Sequence, residues 1–488
     1  MGQTPLQGLE AVLMLLNYIN GTYQQASSGK MEQLVNPATE EIITTLTWSN
    51  GDDCKAAIEA AQQAFASWSK TNVYQRSAIL KKAADIIRVN ANDYANDTVT
   101  ESGKPIAEAK GEWLVAANLF EWFAEEAKRA YGRTIPANRN DKRMMTIWQP
   151  MGVVGVITAW NFPAYNPARA WAAGLSAGCT VVAKGSEFTA LSTYRLTEAL
   201  IEAGLPAGVI NNLFGDAASI GEEMLNNPSL KKISFTGSTR VGKLLMDGAS
   251  KTNTKLSLEL GGNAPVIVNN DVDVDVLAKS SVIAKLRNAG QVCIAPQRFF
   301  VNEKIYDSFI EIASETIKNI KVGYGWEAGT QVGPLINQRQ QQQVLNIIDE
   351  AQQSGADVIQ NNASFNKGWF VPPALLTNID ASTTAINKEI FGPVLPVVSF
   401  SDKQEVVEWA NNTPYGLAAY VWTNNINDAF FFSEALEFGM VGINEWAPHG
   451  TEAPFGGWKQ SGMGHESGSE GLYEYMEKKL VSFGAMNF

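Results

Sequence analysis

From residue 153 onward, short apolar runs alternate with stretches of helical periodicity. Residues 153–160, 181–184, 209–214, 232–236 and 255–260 read as strands: a few consecutive aliphatic residues bounded by Gly, Pro or polar turns. Residues 167–178 and 192–203, lying between them, read as helices. Strand and helix in regular succession predict a parallel sheet covered on both faces. Ligands on such sheets bind beyond the carboxyl ends of the strands. A second alternating block covers residues 265 to about 439. Upstream, 52–68, 74–89 and 112–130 read as helices; the first carries Ala56, Ile58, Ala60, Ala61, Ala64, Phe65 and Trp68 at helical spacing. A turn at 36–39 leads toward an edge strand over 41–46. Residues 132–140 form a polar, proline-containing loop, and 144–148 and 474–483 are strands whose edges need covering.

The apolar run 6–16 is too short to span a bilayer. It lacks the preceding basic residue and cleavage pattern of a secretory signal, and predicts an amphipathic helix or a frayed extension. At 488 residues the chain exceeds one ordinary domain, so two or three are expected. A net charge of −12 argues against nucleic acid or an anionic membrane as partner, though not against a small anionic substrate in a locally basic pocket. Cys54, Cys179 and Cys293 are too few for a disulfide framework, which fits a reducing compartment and predicts the cytoplasm. His449 and His465 are the only histidines and no Cys/His cluster has ligand spacing, so no metal site is expected.

The chemistry concentrates in 284–298, a helical pattern that breaks at Gly290 and leaves Cys293 on a turn. Backbone N–H groups near such a break lower a thiol's pKa, which makes Cys293 a candidate nucleophile; the alternative is an inert buried thiol. Upstream, Glu259 stands between Leu258 and Leu260 in a strand running into Gly261-Gly262. A carboxylate there is costly unless it is paired or its raised pKa serves a base. Asn161 follows the strand 153–160 and can donate to a developing oxyanion, or simply cap the turn. Gly237 to Gly242 open a helix after a strand, a geometry that can hold a phosphate but lacks the longer Rossmann fingerprint. Lys184 and Glu187, three apart, read on their own as a solvated ion pair.

Taken together, Glu259-Leu260-Gly261-Gly262 and Gly290-Gln291-Val292-Cys293, in this order and spacing, resemble the aldehyde dehydrogenase superfamily over residues 18–483. The resemblance implies an α/β fold in three parts. A parallel Rossmann-like NAD-binding domain comprises 1–130 and 151–260, an α/β catalytic domain 261–470, and a small β oligomerisation domain 131–150 and 471–488. It implies Cys293 as nucleophile, Asn161 as oxyanion donor and Glu259 as the base that activates water against a thioester. It assigns Trp160, Lys184, Glu187, Gly237, Ser238, Gly242, Glu389 and Phe391 to the cofactor. Glu187 argues for NAD over NADP, because a carboxylate accepts from a ribose 2′-hydroxyl and repels a 2′-phosphate. Gly185 stands where the family usually has Pro. Strands like 144–148 and the tail pair across subunits in the family, which implies a homodimer or homotetramer.

Arg169 and Arg287 narrow the substrate. At these motif positions, succinate-semialdehyde dehydrogenases carry arginines that grip the substrate carboxylate, and Arg169 lies among apolar residues with no evident anion. Phe455 belongs to the same pocket. This chain departs from that branch in two places: Ala295 replaces a second cysteine, and His449-Gly450-Thr451 replaces a serine-containing run. His449 and Thr451 are the candidate substitutes. The expected activity is NAD-dependent oxidation of a carboxylated aldehyde, succinate semialdehyde first. The alternatives are another ω-anionic or a general aldehyde, a CoA-acylating enzyme, or a non-enzymatic relative. Glu259 argues against the CoA-acylating reading.

Overall fold

A computed structural model describes residues 14–485. The expected strand–helix alternation is present and builds two large sheets. The first has eight strands in the order Thr22–Gln24, Asn17–Ile19, Ile210–Leu213, Thr180–Lys184, Val153–Ile157, Leu230–Thr236, Lys255–Glu259 and Gly462–Met463. Its central five strands are parallel. Both edges are antiparallel: the Asn17–Gln24 region on one side and Gly462–Met463, from far downstream, on the other. Val153–Ile157 and Thr180–Lys184 are buried at every residue, as strands covered on both faces must be.

The second sheet has seven strands, Asp357–Gln360, Ala374–Thr377, Val394–Phe400, Pro296–Asn302, Ala264–Val268, Ala418–Trp422 and Met440–Ile443. All its pairings are parallel except that of Asp357–Gln360 at the edge. Gly261-Gly262 links the last strand of the first parallel set to Ala264–Val268, so a cleft opens where the two sheets meet.

Several elements differ from expectation. The loop expected over 132–140 contains a strand, Arg133–Ile135, which pairs with Arg143–Pro150 and, through it, with Met476–Phe483 in a three-stranded antiparallel sheet. Its polarity reflects an exposed ribbon: no residue of Met476–Phe483 is buried. A helix unread in the sequence, Ala91–Ser102, hides its periodicity among Asn, Asp and Thr, yet buries Tyr94, Ala95, Thr98 and Val99. The first long strand stops at Ile157 instead of reaching Trp160, which leaves 158–164 irregular. Residues 6–13 of the apolar run 6–16 lie outside the described residues; Leu15 bridges Leu46.

The helices have recognisable starts. Gly51–Trp68 begins on a capping box, Asn50 with Asp53, and buries Cys54, Ala57, Ile58 and Ala61. Tyr165–Ala177 is different: apart from Tyr165 all its residues are buried, Arg169 included. It packs against Ile106–Glu126, whose Trp113, Phe120 and Phe123 share a core with Trp171.

Candidate active site

The helix Val274–Leu286 ends before Gly290, where the sequence places the break, and the chain then turns through Asn288 (φ 50°), Ala289 (φ 54°) and Gly290 (φ 75°). Left-handed geometry costs a non-glycine residue roughly 1–2 kcal/mol, so the surroundings must hold it. Glu108 Oε2 accepts the Asn288 N–H (2.8 Å), Gln291 Nε2 donates to the Asn288 carbonyl (3.0 Å), and Gln291 Oε1 accepts the Ile336 N–H (3.0 Å). Tyr420 donates to the Ile294 carbonyl at 2.6 Å. A Cβ on Gly262 would stand 2.2 Å from the Cys293 carbonyl oxygen, so strand and turn touch backbone to backbone. Cys293 is thus half-buried on a rigid turn. The expected lowering of its pKa is not found. Burial pushes the thiol up to about 12, and Arg169 only partly opposes this.

Glu259 is the last residue of its strand, 3% exposed, with both carboxylate oxygens lacking a hydrogen-bond partner among the described residues. Burial, and then the charge of Glu466, hold it well above the usual carboxylate range, against the pull of Arg169. Asn161 lies in the irregular segment after Ile157; no strand runs on to Pro163 to be stopped there. Its Nδ2 donates to the Gln291 carbonyl (3.1 Å), and Asn166 Nδ2 donates to its Oδ1 (3.2 Å), which fixes which side of the amide is the donor. Asn161, Glu259 and Cys293 all line one cavity of about 570 Å³.

That cavity continues past Trp160, Glu389 and Phe391 to Gly237 and Ser238. Trp160 and Phe391 meet edge to face at 5.5 Å. Glu389 Oε1 accepts the Gly262 N–H (3.1 Å), and burial raises its pKa to about 7. Ser238 caps the helix Thr239–Ser250. A helix N-terminus at one end, aromatic and amide groups at the other and a volume in the range of ligand pockets fit a nicotinamide dinucleotide. Three residues expected at the cofactor do not line this cavity. Gly242 instead permits close packing, since a Cβ there would lie 2.6 Å from Leu260. Lys184 and Glu187 pair at 2.6 Å, but with Lys184 buried at 4% side-chain exposure and Glu187 at 31%, not as a solvated pair. Gly185 lies against Thr193, which a Cβ would meet at 2.7 Å.

A second cavity, of about 280 Å³, opens on the other side of Cys293 between Phe162, Tyr165, Arg169, Arg287, His449 and Phe455. Arg169 lies under the rings of Phe455 (4.4 Å) and Tyr165 (5.1 Å). It is not the anion-free guanidinium expected from the sequence: Glu466 forms an ion pair with its Nε. Its Nη1 has no hydrogen-bond partner among the described residues. Arg287, half-buried over Phe162 (5.1 Å), makes no ion pair or hydrogen bond among the described residues. His449 meets Phe455 edge to face; burial and the two guanidiniums lower its pKa to about 4, so the imidazole is neutral at pH 7. Thr451 is elsewhere, its hydroxyl on the exposed Glu452 (3.2 Å).

Sequence reasoning missed the groups that hold this constellation: Glu466, Tyr165, Asn288, Glu108 and the buried pair Lys104–Glu112 (2.5 Å). Of these only Asn288, beside the break at Gly290, carried a local signal.

An aldehyde dehydrogenase family model matches residues 23–481. The chain is 41% identical to the glutarate-semialdehyde dehydrogenase of Pseudomonas putida KT2440, covering 95% of this chain and 96% of that one. It is 40% identical to the succinate-semialdehyde dehydrogenase [NADP(+)] GabD of Escherichia coli K12, covering 96% and 97%. The crystal structure of a succinate-semialdehyde dehydrogenase from Burkholderia pseudomallei superposes with a TM-score of 0.95 at 40% identity, covering 97% and 98%.

Proposed function

The chain belongs to the aldehyde dehydrogenase family, and from that premise we propose that it oxidises a carboxylated aldehyde, succinate semialdehyde first, to the dicarboxylate. The observation that carries this reading is Arg287. It makes no ion pair or hydrogen bond among the described residues, with Glu108 the acidic group of the cavity that feels its charge, and it lines the same cavity as Cys293. A carboxylate on the substrate supplies the missing anion, and the open Nη1 of Arg169 supplies a second donor. The names of the relatives from P. putida and E. coli agree with a substrate of this class.

As Cys293 Sγ attacks the aldehyde carbon its thiol proton passes to solvent, and the charge that develops on oxygen is met by the Asn161 amide and the Cys293 backbone N–H. Such a donor is typically worth about 10²–10³ in rate. The surrounding cavity is where Trp160, Gly237, Ser238, Glu389 and Phe391 would hold a nicotinamide dinucleotide, which when bound would supply a two-electron acceptor for oxidation of the adduct to a thioester. Glu259 then takes a proton from water, whose oxygen attacks the thioester carbon and releases the acid and the Cys293 thiol. A carboxyl with no partner and a raised pKa is suited to accept that proton. Hydrolysis, not transfer to CoA, follows from this base. The dinucleotide in this reading is NAD: although Glu187, just beyond the strand Thr180–Lys184, pairs with Lys184 and does not line the cavity, its carboxylate would accept from a 2′-hydroxyl and repel a 2′-phosphate.

Two further statements belong to the same reading. The working form is a homodimer or homotetramer joined through the exposed ribbon of Met476–Phe483 and Arg143–Pro150. Its compartment is the cytoplasm, in keeping with three unpaired cysteines.

The test is Arg287→Gln. It should lower kcat/KM for succinate semialdehyde by about 2–5 kcal/mol and leave kcat/KM for butanal nearly unchanged. An equal effect on both aldehydes would make Arg287 an incidental charge and the anionic substrate wrong.

A further inference from the structure

Asn161 has neither strand nor helix to hold it, since the strand ends at Ile157 and the next helix begins at Tyr165. Besides the bonds of its side chain to Gln291 and Asn166, two anchors hold its main-chain oxygen, and the first is Lys104. Lys104 Nζ donates to the Asn161 main-chain oxygen at 2.9 Å and to Glu112 Oε2 at 2.5 Å, and lies 4.3 Å from the centre of the Phe162 ring. The other oxygen of Glu112 accepts the N–H groups of Ala164 (2.8 Å) and Tyr165 (3.1 Å). That helix start has no capping side chain of its own, because Ala164 occupies the cap position. The side chains of Lys104 and Glu112 are 1% and 2% exposed.

A second anchor converges on the same oxygen. Asn288 Nδ2 donates to the Asn161 carbonyl at 2.9 Å, and the Asn288 N–H is held by Glu108. Glu108 and Glu112 are four residues apart on the helix Ile106–Glu126, so they share one face. One carboxylate holds the turn that leads to Cys293; the other holds the segment that carries Asn161. The Lys104 turn is itself fixed against the second half of the chain. The Ile106 N–H donates to the Gly325 carbonyl (2.8 Å), and a Cβ on Gly333 would stand 2.1 Å from the Gly103 oxygen.

A buried ion pair is weak evidence for stability, because desolvation offsets most of the attraction. Here it fixes geometry at the point where geometry decides rate. We propose that Lys104 is a positioning residue of the reaction: with Glu112 it locks the main chain of Asn161, and thereby aims the Asn161 amide at the oxygen of the Cys293 adduct. This rests on Asn161 as the oxyanion donor in the reading above.

The experiment is a double-mutant cycle on acylation of the full-length protein by p-nitrophenyl acetate. That reaction uses Cys293 and the oxyanion donors but neither a substrate carboxylate nor a nicotinamide. Lys104→Met should slow acylation by about tenfold or more when Asn161 is present, and by less than about twofold in an Asn161→Ala background. A lysine with a merely structural role would give the same fold loss in both backgrounds, and that result overturns the proposal. Because Lys104→Met leaves Glu112 buried without its cation, Lys104→Met/Glu112→Gln is measured beside it, with thermal melting to show that each folds. If neither folds, the pair is a stability element and the proposal fails. It also fails if Asn161→Ala alone leaves acylation unchanged, or if the wild type is not acylated. Normal ester turnover without semialdehyde oxidation would sink only the substrate reading, and the cycle would still decide the role of Lys104.

Discussion

Glu259 and Cys293 share a difficulty: each must carry charge during the reaction, and each is buried where charge is disfavoured. Arg169 lowers the pKa of both, while Glu466 raises that of Glu259 and pairs with Arg169. Glu466 therefore adds to burial in raising the pKa of the base. Glu259→Gln should release one burst of reduced nicotinamide and then stall at the thioester, because only hydrolysis is lost. Glu466→Gln removes a like charge beside Glu259, so the carboxyl ionises more easily and its pKa falls. The base is active when deprotonated, so the acidic limb of the hydrolysis-limited rate should move to lower pH. A pH–rate profile with the limb unmoved, or moved upward, would contradict this electrostatic account.

Elements meet at Gly261-Gly262, where the strand ending in Glu259 passes into Ala264–Val268 and the Gly262 backbone lies against Cys293. Gly262→Ala would push the Cys293 carbonyl aside, since the new Cβ would be 2.2 Å from it. Misplacement by about 1 Å costs on the order of 10²-fold, so kcat should fall at least that far while far-UV circular dichroism stays unchanged. A variant with near-normal kcat would show that the turn relaxes freely. Elements of this kind were legible from sequence, because apolar alternation fixes strands, Gly290 breaks a helix, and Glu259 and Cys293 sit in long motifs. Arg133–Ile135 was not, because a two-sided exposed ribbon looks like a polar loop. Nor were Lys104, Glu112 and Glu466, which carry no local signal of burial. Their meaning comes from burial, and burial is made by packing between segments 52 to 297 residues apart. The same holds for Arg169: its apolar neighbours were visible, its anion was not. Removing Arg169 would strand Glu466 and cost stability as well as binding, which is why Arg287 is the cleaner probe of the substrate's charge.

Over the whole molecule, a chain of net charge −12 gathers two guanidiniums beside its nucleophile. Arg169 is paired with Glu466 and Glu108 also lines the cavity, so Arg287 is the guanidinium left to meet a small anion. The ribbon Met476–Phe483 presents Leu480 at 60% and Phe483 at 42% exposure, apolar surface at an open edge. Light scattering at micromolar concentration should give a dimer or tetramer; a monomer would leave that ribbon without its proposed partner. The most direct measurement is kcat/KM of the wild type for succinate semialdehyde and for butanal, with NAD and with NADP, in the absence of CoA. The account predicts succinate as free acid, a preference for the semialdehyde of at least about 2 kcal/mol in kcat/KM, and the faster rate with NAD. Equal efficiency with butanal, or no acid formed until CoA is added, would contradict it.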